Sequence, residues 1–356
     1  MDASAHIKDH PSMNEILGVG KCMMPHLFDI LIRFRCWLFA LIGDLKQAFL
    51  QIRVDERDRD YLRFLWVDDP FKENPTIVAK RFTSVLFGLK SSPYLLAATL
   101  EHHANKYKDS HPEFVEMFLR DLYVDDNTTG VNDVEFGFKY YSFICAMLLE
   151  GGFTIRKWFS NSKELFHKIN HHEENFYNEP IVIPDNQWLR KVLGVPWDGS
   201  SDTIIFSLQE IILSALNITT VTKCSVLGVI SGIFDPLGIL AALVVILKFL
   251  FQEVCAMKVD WDVSLPEEFA SRWFSTLKFL STFDSVQLPR HYLQGNDINS
   301  ALTIELHGFC DASVKAIAVV LYVRAVFPEK AVCSIVAAKT KVVPLNKRSA
   351  PNGEKD

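Results

Sequence analysis

At 356 residues the chain is long enough for two or three packed units, and 49 % hydrophobic with 22 % charged residues argues against a disordered or fibrous polymer. A formal net charge of −6 gives no global attraction to phosphate, so contact with nucleic acid has to come from local basic patches. Seven scattered cysteines without a C-x-x-C pair argue against a disulfide framework or zinc site and fit free thiols in a reducing compartment.

The first thirty residues carry Asp2, His6, Lys8, Asp9 and His10 and lack the continuous apolar core of a secretory signal. In "PHLFDILIRFRCWLF" apolar positions recur at three and four, which predicts an amphipathic helix. "ALIGDLKQAFLQIRV" begins as a buried strand delivering Asp44 at its end, with a short helical turn from Lys46 to Gln51. Residues 77–83 read as another strand. "SSPYLLAATLEHHANKY" reads as a helix with Ser92 as N-cap and Pro93 in its first turn.

"FLRDLYVDDNTTGV" offers two strand-like arms around an Asp/Asn/Thr/Gly turn, placing Asp125 and Asp126 at a hairpin tip. A helix over 134–149 ends at Gly151-Gly152 and is followed by the strand "FTIRKWF". This order predicts an α+β layer, helices on one face of an antiparallel sheet. From 211 the texture is helical, in "QEIILSALN", 224–256 and "LPEEFASRWFSTLKFLSTF". The run "LGILAALVVILKFLF", interrupted by Lys248, falls short of the ~20 apolar residues a bilayer span needs and reads as a buried helix. Residues 301–343 read as three strands, and the last dozen look frayed.

A sheet that pairs the Asp44 strand with the hairpin brings three carboxylates together. Adjacent like charges are costly unless a cation sits among them, and an all-oxygen set suits Mg²⁺. Two such ions about 4 Å apart activate a hydroxyl and stabilise a leaving oxygen, so the chemistry suggested is nucleotidyl or phosphoryl transfer. Two plainer readings compete. One is a solvated acidic turn. The other is a calcium loop, which fails because Phe136 stands where a bidentate glutamate is required.

The flanking motifs resemble a reverse transcriptase. "YVDD" (Tyr123 to Asp126) is similar to the catalytic hairpin and "DLKQAF" (Asp44 to Phe49) to the first carboxylate motif. "FGLKSSP" (Phe87 to Pro93) resembles the template- and nucleotide-contacting segment. "GGFTIRKW" and "KVLGVPWD" resemble the later palm motif and the primer-gripping turn. Further wording, including "DASA", "LFDILIRFR", "SSPYLLAATL", "SGIFDPLGIL" and "HGFCDAS", resembles the Pao/BEL group of long-terminal-repeat retrotransposons over nearly the whole chain.

The resemblance implies a right-hand polymerase palm with truncated fingers over 1–210, a helical thumb and connection over 211–300, and an incomplete ribonuclease H-like α/β segment over 301–356. By the same resemblance Asp44, Asp125 and Asp126 are catalytic and, with the Leu45 carbonyl, hold two Mg²⁺ ions, for which Mn²⁺ can substitute. Phe49 would lie beneath the sugar and exclude a 2′-hydroxyl. Phe87, Gly88, Tyr123 and Lys157 would contact nucleotide or template, with Lys157 aiding the departing pyrophosphate and Arg156 and Lys163 near phosphates. The implied partners are an RNA or DNA template with primer, deoxynucleoside triphosphates and the remainder of a retrotransposon polyprotein, with no membrane. The implied location is a cytoplasmic particle.

Asp311 in "HGFCDAS" resembles the first ribonuclease H carboxylate, but the surroundings of Glu354 do not match a second, so no ribonuclease H activity and an unstable or partner-covered tail are expected. In the family an arginine just before the "DASA" stretch grips the triphosphate. The chain begins at Met1-Asp2-Ala3, so weaker nucleotide binding is expected, by ~1.5–3 kcal/mol per lost charge-assisted bond. Two alternatives remain at this stage: a catalytically inactive retroelement remnant that at most binds nucleic acid, and a metal-dependent phosphohydrolase using the same carboxylates.

Overall fold

The computed structural model describes residues 2–6, 8–72, 74–177 and 188–344. The chain divides into two compact units, Met1–His26 with Phe39–Ile181, and Leu27–Leu38 with Val182–Asp356.

The first unit is built on a four-stranded antiparallel sheet in the order Leu122–Tyr123, Asp126–Val131, Phe39–Leu45, Ile155–Phe159. The strand Phe39–Leu45 lies inside this sheet, which explains its nearly unbroken apolar sequence. Helices Ser92–Ala104, Pro112–Asp121, Val134–Glu150 and Lys163–Tyr177 surround one apolar core that includes Leu41, Leu100, Phe118, Tyr140, Ile144, Trp158 and Ile169. Helix Val134–Glu150 starts on Asp133, whose carboxylate accepts the Phe136 N–H at 2.7 Å, and stops at Gly151 before Gly152 at φ +79°. A two-stranded ribbon, Arg63–Val67 with Ile77–Arg81, stands apart from the sheet.

Two expectations need correction here. Ser92 is not the N-cap: Ser91 holds that position, and the Ser92 hydroxyl donates to the Leu86 carbonyl at 2.6 Å from inside the first turn. The "FLRD" and "NTTG" stretches are also not strand arm and turn. Residues 118–121 end the helix Pro112–Asp121, and Asn127 to Gly130 form a buried strand. Side chains outside the strand take up part of their hydrogen-bonding capacity, while Asn127 Nδ2 has no partner among the described residues. The Tyr140 hydroxyl donates to Asn127 Oδ1 at 3.0 Å, and the Thr129 hydroxyl donates to Asp121 Oδ2 at 2.8 Å. Asp121, fully buried, is in turn paired with Arg120 at 2.8 Å.

The second unit contains the helix Leu27–Phe34 and an antiparallel sheet in the order Val286–Pro289, Thr203–Phe206, Val195–Asp198, Leu189–Val192. It also holds helices Gln209–Leu216, Lys223–Gly232, Ala241–Ala256 and Glu267–Leu280, and a meander of Thr303–Ala312, Ala316–Val326 and Ala331–Val342. The helical stretch 224–256 consists of two helices. They break where Asp235 accepts the Ile239 and Leu240 N–H groups at 2.8 and 2.7 Å and Pro236 lacks a donor. Helix Ala241–Ala256 buries Ala241, Val244, Leu247, Leu250 and Val254 at helical spacing. Among the described residues no helix is long and apolar enough to cross a membrane. The meander matches the three strands expected, and its edge strand Thr303–Ala312 is exposed along its whole length. Glu354 lies outside the described residues.

Candidate active site

Asp44 and Asp126 are direct partners across the antiparallel pair Phe39–Leu45 and Asp126–Val131, and the Leu45 N–H donates to the Asp125 carbonyl at 2.8 Å. Tyr123 pairs with Asp126, so Val124 and Asp125 alone make the turn. Asp125 is therefore at the tip and Asp126 opens the returning strand. Val124 has φ +57°, a left-handed conformation that two-residue hairpins usually give to glycine and that a β-branched residue adopts only under constraint. Strain of this kind, about 1–3 kcal/mol, is held where surrounding structure fixes it.

The opposite edge carries a second irregularity. Ile42 pairs with Phe159 but Asp44 pairs with Arg156, so Trp158 and Lys157 together face Gly43 in a β-bulge. Lys157 takes the left-handed bulge position at φ +55°. Alternation along a regular strand would send Arg156 and Lys157 to opposite faces. The bulge instead lets both reach one carboxylate: Lys157 Nζ lies 3.1 Å and Arg156 Nε 3.9 Å from Asp44 Oδ2. Gly43 accommodates it, since a Cβ there would meet Trp158 ring carbons at 3.1 Å.

Burial pushes the Asp126 carboxyl up to about 6, with the Asp125 and Asp44 charges adding to the effect. Burial also raises Asp125, with the Asp44 charge pushing the same way and Lys157 opposing. Asp125 and Asp126 thus sit half-buried without a contacting counter-charge among the described residues. Among the described residues, however, no group of three or more His, Cys, Asp or Glu side chains is arranged to hold a metal ion. The backbone aligns the acidic residues, while the Asp44 side chain is engaged by Lys157.

Phe49 is 5 % exposed, on the short 3-10 turn Ala48–Gln51 that follows Gln47 at φ +51°. Its ring meets Phe87 edge-on, centroids 4.7 Å apart. Gly88 has φ +87°, and a Cβ there would face open space, so the backbone conformation is what calls for glycine. The residue missed in the sequence is Asn14. Its amide donates to the Gly88 carbonyl at 2.8 Å and accepts the Lys90 N–H at 3.0 Å, clamping the loop. The "KVLGVPWD" segment is a hairpin of the second unit, turning at Leu193 and Gly194, both at positive φ. Asp311 lies on the exposed edge strand of the second unit, its carboxylate accepting the Ala312 N–H at 2.9 Å.

A family model described as Pao retrotransposon-like RNaseH-like domain matches residues 222–354. Among solved structures, the foamy viral protease-reverse transcriptase dRH in complex with ds DNA matches at 15 % identity and TM-score 0.55, over 95 % of this chain and 49 % of that one. The foamy viral protease-reverse transcriptase in complex with RNA/DNA hybrid matches at 15 % identity and TM-score 0.54, over 95 % of this chain and 38 % of that one. The chain spans half or less of the length of these two structures. No curated protein matches it. The chain has the α+β reverse transcriptase fold, and the likeness to Pao-type elements with the start of a ribonuclease H-like segment is borne out.

Proposed function

We propose that the first unit is a reverse transcriptase palm that adds deoxynucleotides to a primer 3′-hydroxyl on RNA or DNA templates. The observation that carries this reading is the pairing of Asp44 with Asp126, joined through the turn residue Asp125, on a reverse transcriptase fold. The double-stranded DNA and RNA/DNA hybrid held by the foamy viral relatives support a primed duplex as the partner.

The donors fit a hard divalent ion. They are all oxygen, they crowd negative charge, and among the described residues the cations paired with them are the flexible heads of Lys157 and Arg156. Asp44, Asp125 and the Leu45 carbonyl would hold Mg²⁺ or Mn²⁺, with Asp126 alongside. Such ions, when bound, supply activation of the attacking hydroxyl and neutralise charge on the leaving oxygen. The remaining work falls to the chain. Phe49 floors the sugar site, the Gly88 loop held by Asn14 presents backbone to nucleotide or template, and Lys157 brings positive charge to the leaving pyrophosphate.

A second reading, a non-catalytic remnant that binds nucleic acid, is favoured by one observation: the three carboxylates do not form a ready donor group. Primer extension by the purified chain with Mg²⁺ or Mn²⁺ separates the two. Extension that disappears in Asp125→Asn supports the polymerase. Duplex binding without any extension supports the remnant.

A further inference from the structure

We infer that Lys157 is a built-in counter-ion that occupies Asp44 and competes with a divalent ion for that carboxylate. This rests on the reading of Asp44 and Asp125 as metal ligands and concerns how that same site is regulated.

The bulge between Ile42 and Asp44 adds one residue to the strand Ile155–Phe159, and that residue position is held left-handed by a lysine rather than a glycine. Adopting φ +55° costs a non-glycine residue backbone energy. What it yields is placement of the ammonium 3.1 Å from Asp44 Oδ2, with Arg156 at 3.9 Å from the same oxygen. One oxygen of the Asp44 carboxylate therefore faces two cations before any metal arrives. An ammonium and a divalent ion on the same carboxylate repel each other at a few ångströms, so the presence of each weakens binding of the other.

The Lys157 side chain is 67 % exposed, so it has room to swing away without repacking the core. It is also the group placed to meet phosphate oxygens once released. Metal entry and delivery of Lys157 to the nucleotide are on this account one exchange. The contact pairs of Lys157 and Arg156 are with Asp44, while the Lys157 charge also acts at longer range on Asp125 and Asp126, so direct competition for a ligand oxygen falls on Asp44.

Mn²⁺ binding to the purified chain tests this directly, by titration with electron paramagnetic detection of free Mn²⁺, for the native protein, Lys157→Met and Asp44→Asn. Removing one unit charge at contact distance from an exposed pair should tighten Mn²⁺ binding in Lys157→Met by about fivefold to tenfold at low salt, and by less as salt screens the pair. Asp44→Asn should weaken it. Binding that depends on Asp44 but is unchanged or weaker in Lys157→Met overturns the counter-ion and leaves the site standing. Binding indifferent to Asp44→Asn, or absent from both the native chain and Lys157→Met, removes the metal site and the counter-ion together. Lys157 is exposed, so loss of its charge leaves the core intact, and circular dichroism checks that it does.

Discussion

Gly43 and Trp158 are held in near contact: a methyl group added at Gly43 would sit 3.1 Å from two carbons of a tryptophan ring that is 1 % exposed. The bulge that delivers Lys157 to Asp44 depends on this vacancy, because Trp158 lies directly opposite. Gly43→Ala should therefore cost about 1–3 kcal/mol through overpacking. Because the displaced ring lies next to Lys157, primer extension should fall by more than the lost folded fraction. Thermal unfolding and extension rate, measured on the same preparation, check both parts. Unchanged stability would mean that Trp158 yields easily and that the bulge tolerates a side chain.

Phe49 faces two demands, as a core ring 5 % exposed and as the proposed floor of the sugar site. Phe49→Val should lower discrimination between deoxynucleotides and ribonucleotides by roughly tenfold or more, a size typical of opening an apolar pocket. It should also destabilise, short of the about 3–5 kcal/mol seen for Phe→Ala in cores. Phe87→Ala is the comparison, since Phe87 touches the same ring but is 61 % exposed. Incorporation of each nucleotide class by both variants decides. A selectivity ratio unmoved by Phe49→Val makes Phe49 a packing residue only.

The strand that ends at Asp44 and the hairpin around Asp125 were legible because their signals are local: a β-branched and aromatic run, then two acidic residues. The bulge was not. It arises only when Ile155–Phe159 pairs with Phe39–Leu45, and a lysine occupies the turn position where glycine would have announced it. The "NTTG" stretch misled for a related reason. Its polarity suggested a turn, but Tyr140 and Asp121 supply the hydrogen bonds that let it lie buried in the sheet. Asn14 was invisible because the carbonyl it holds belongs to Gly88, far along the chain. Ser91 and Ser92 differ only in which residue first takes helical backbone, a choice set by the Leu86 carbonyl waiting for the Ser92 hydroxyl.

In the second unit Arg290 is fully buried and directs its donors to Asp202, at 2.6 and 2.9 Å, and to the carbonyls of Phe34, Trp37 and Leu38. It ties the end of helix Leu27–Phe34 to the strand region around Val286–Pro289. Asp202→Ala leaves a buried guanidinium without its counter-charge, which costs about 3–5 kcal/mol in comparable pairs. A quarter of the Asp202 side chain is exposed, at 25 %, so water partly compensates and the lower end is expected. Asp202→Asn keeps acceptor capacity and should cost less. Denaturant unfolding of the three proteins gives the ranking. Equal stability of native and Asp202→Ala would show that the carbonyl contacts alone hold Arg290.

Glu173, on helix Lys163–Tyr177, is 4 % exposed, and its Oε1 has no hydrogen-bond partner among the described residues. Burial pushes its carboxyl up to about 7 from the ordinary 4.5. The folded state therefore holds this proton more tightly than the unfolded chain does. Stability is greatest below about pH 4.5, falls as pH rises toward about 7, and carries a constant penalty above that. At 1.36 kcal/mol per pH unit the full penalty is on the order of 3 kcal/mol. Glu173→Gln cannot ionise, so its unfolding midpoint should lack this part of the pH dependence, whatever fixed offset the amide introduces. Midpoints measured from pH 5 to 8 should show the native protein losing stability relative to the variant up to about pH 7 and running parallel beyond. Parallel curves over the whole range would mean that Glu173 has an ordinary carboxyl in contact with water.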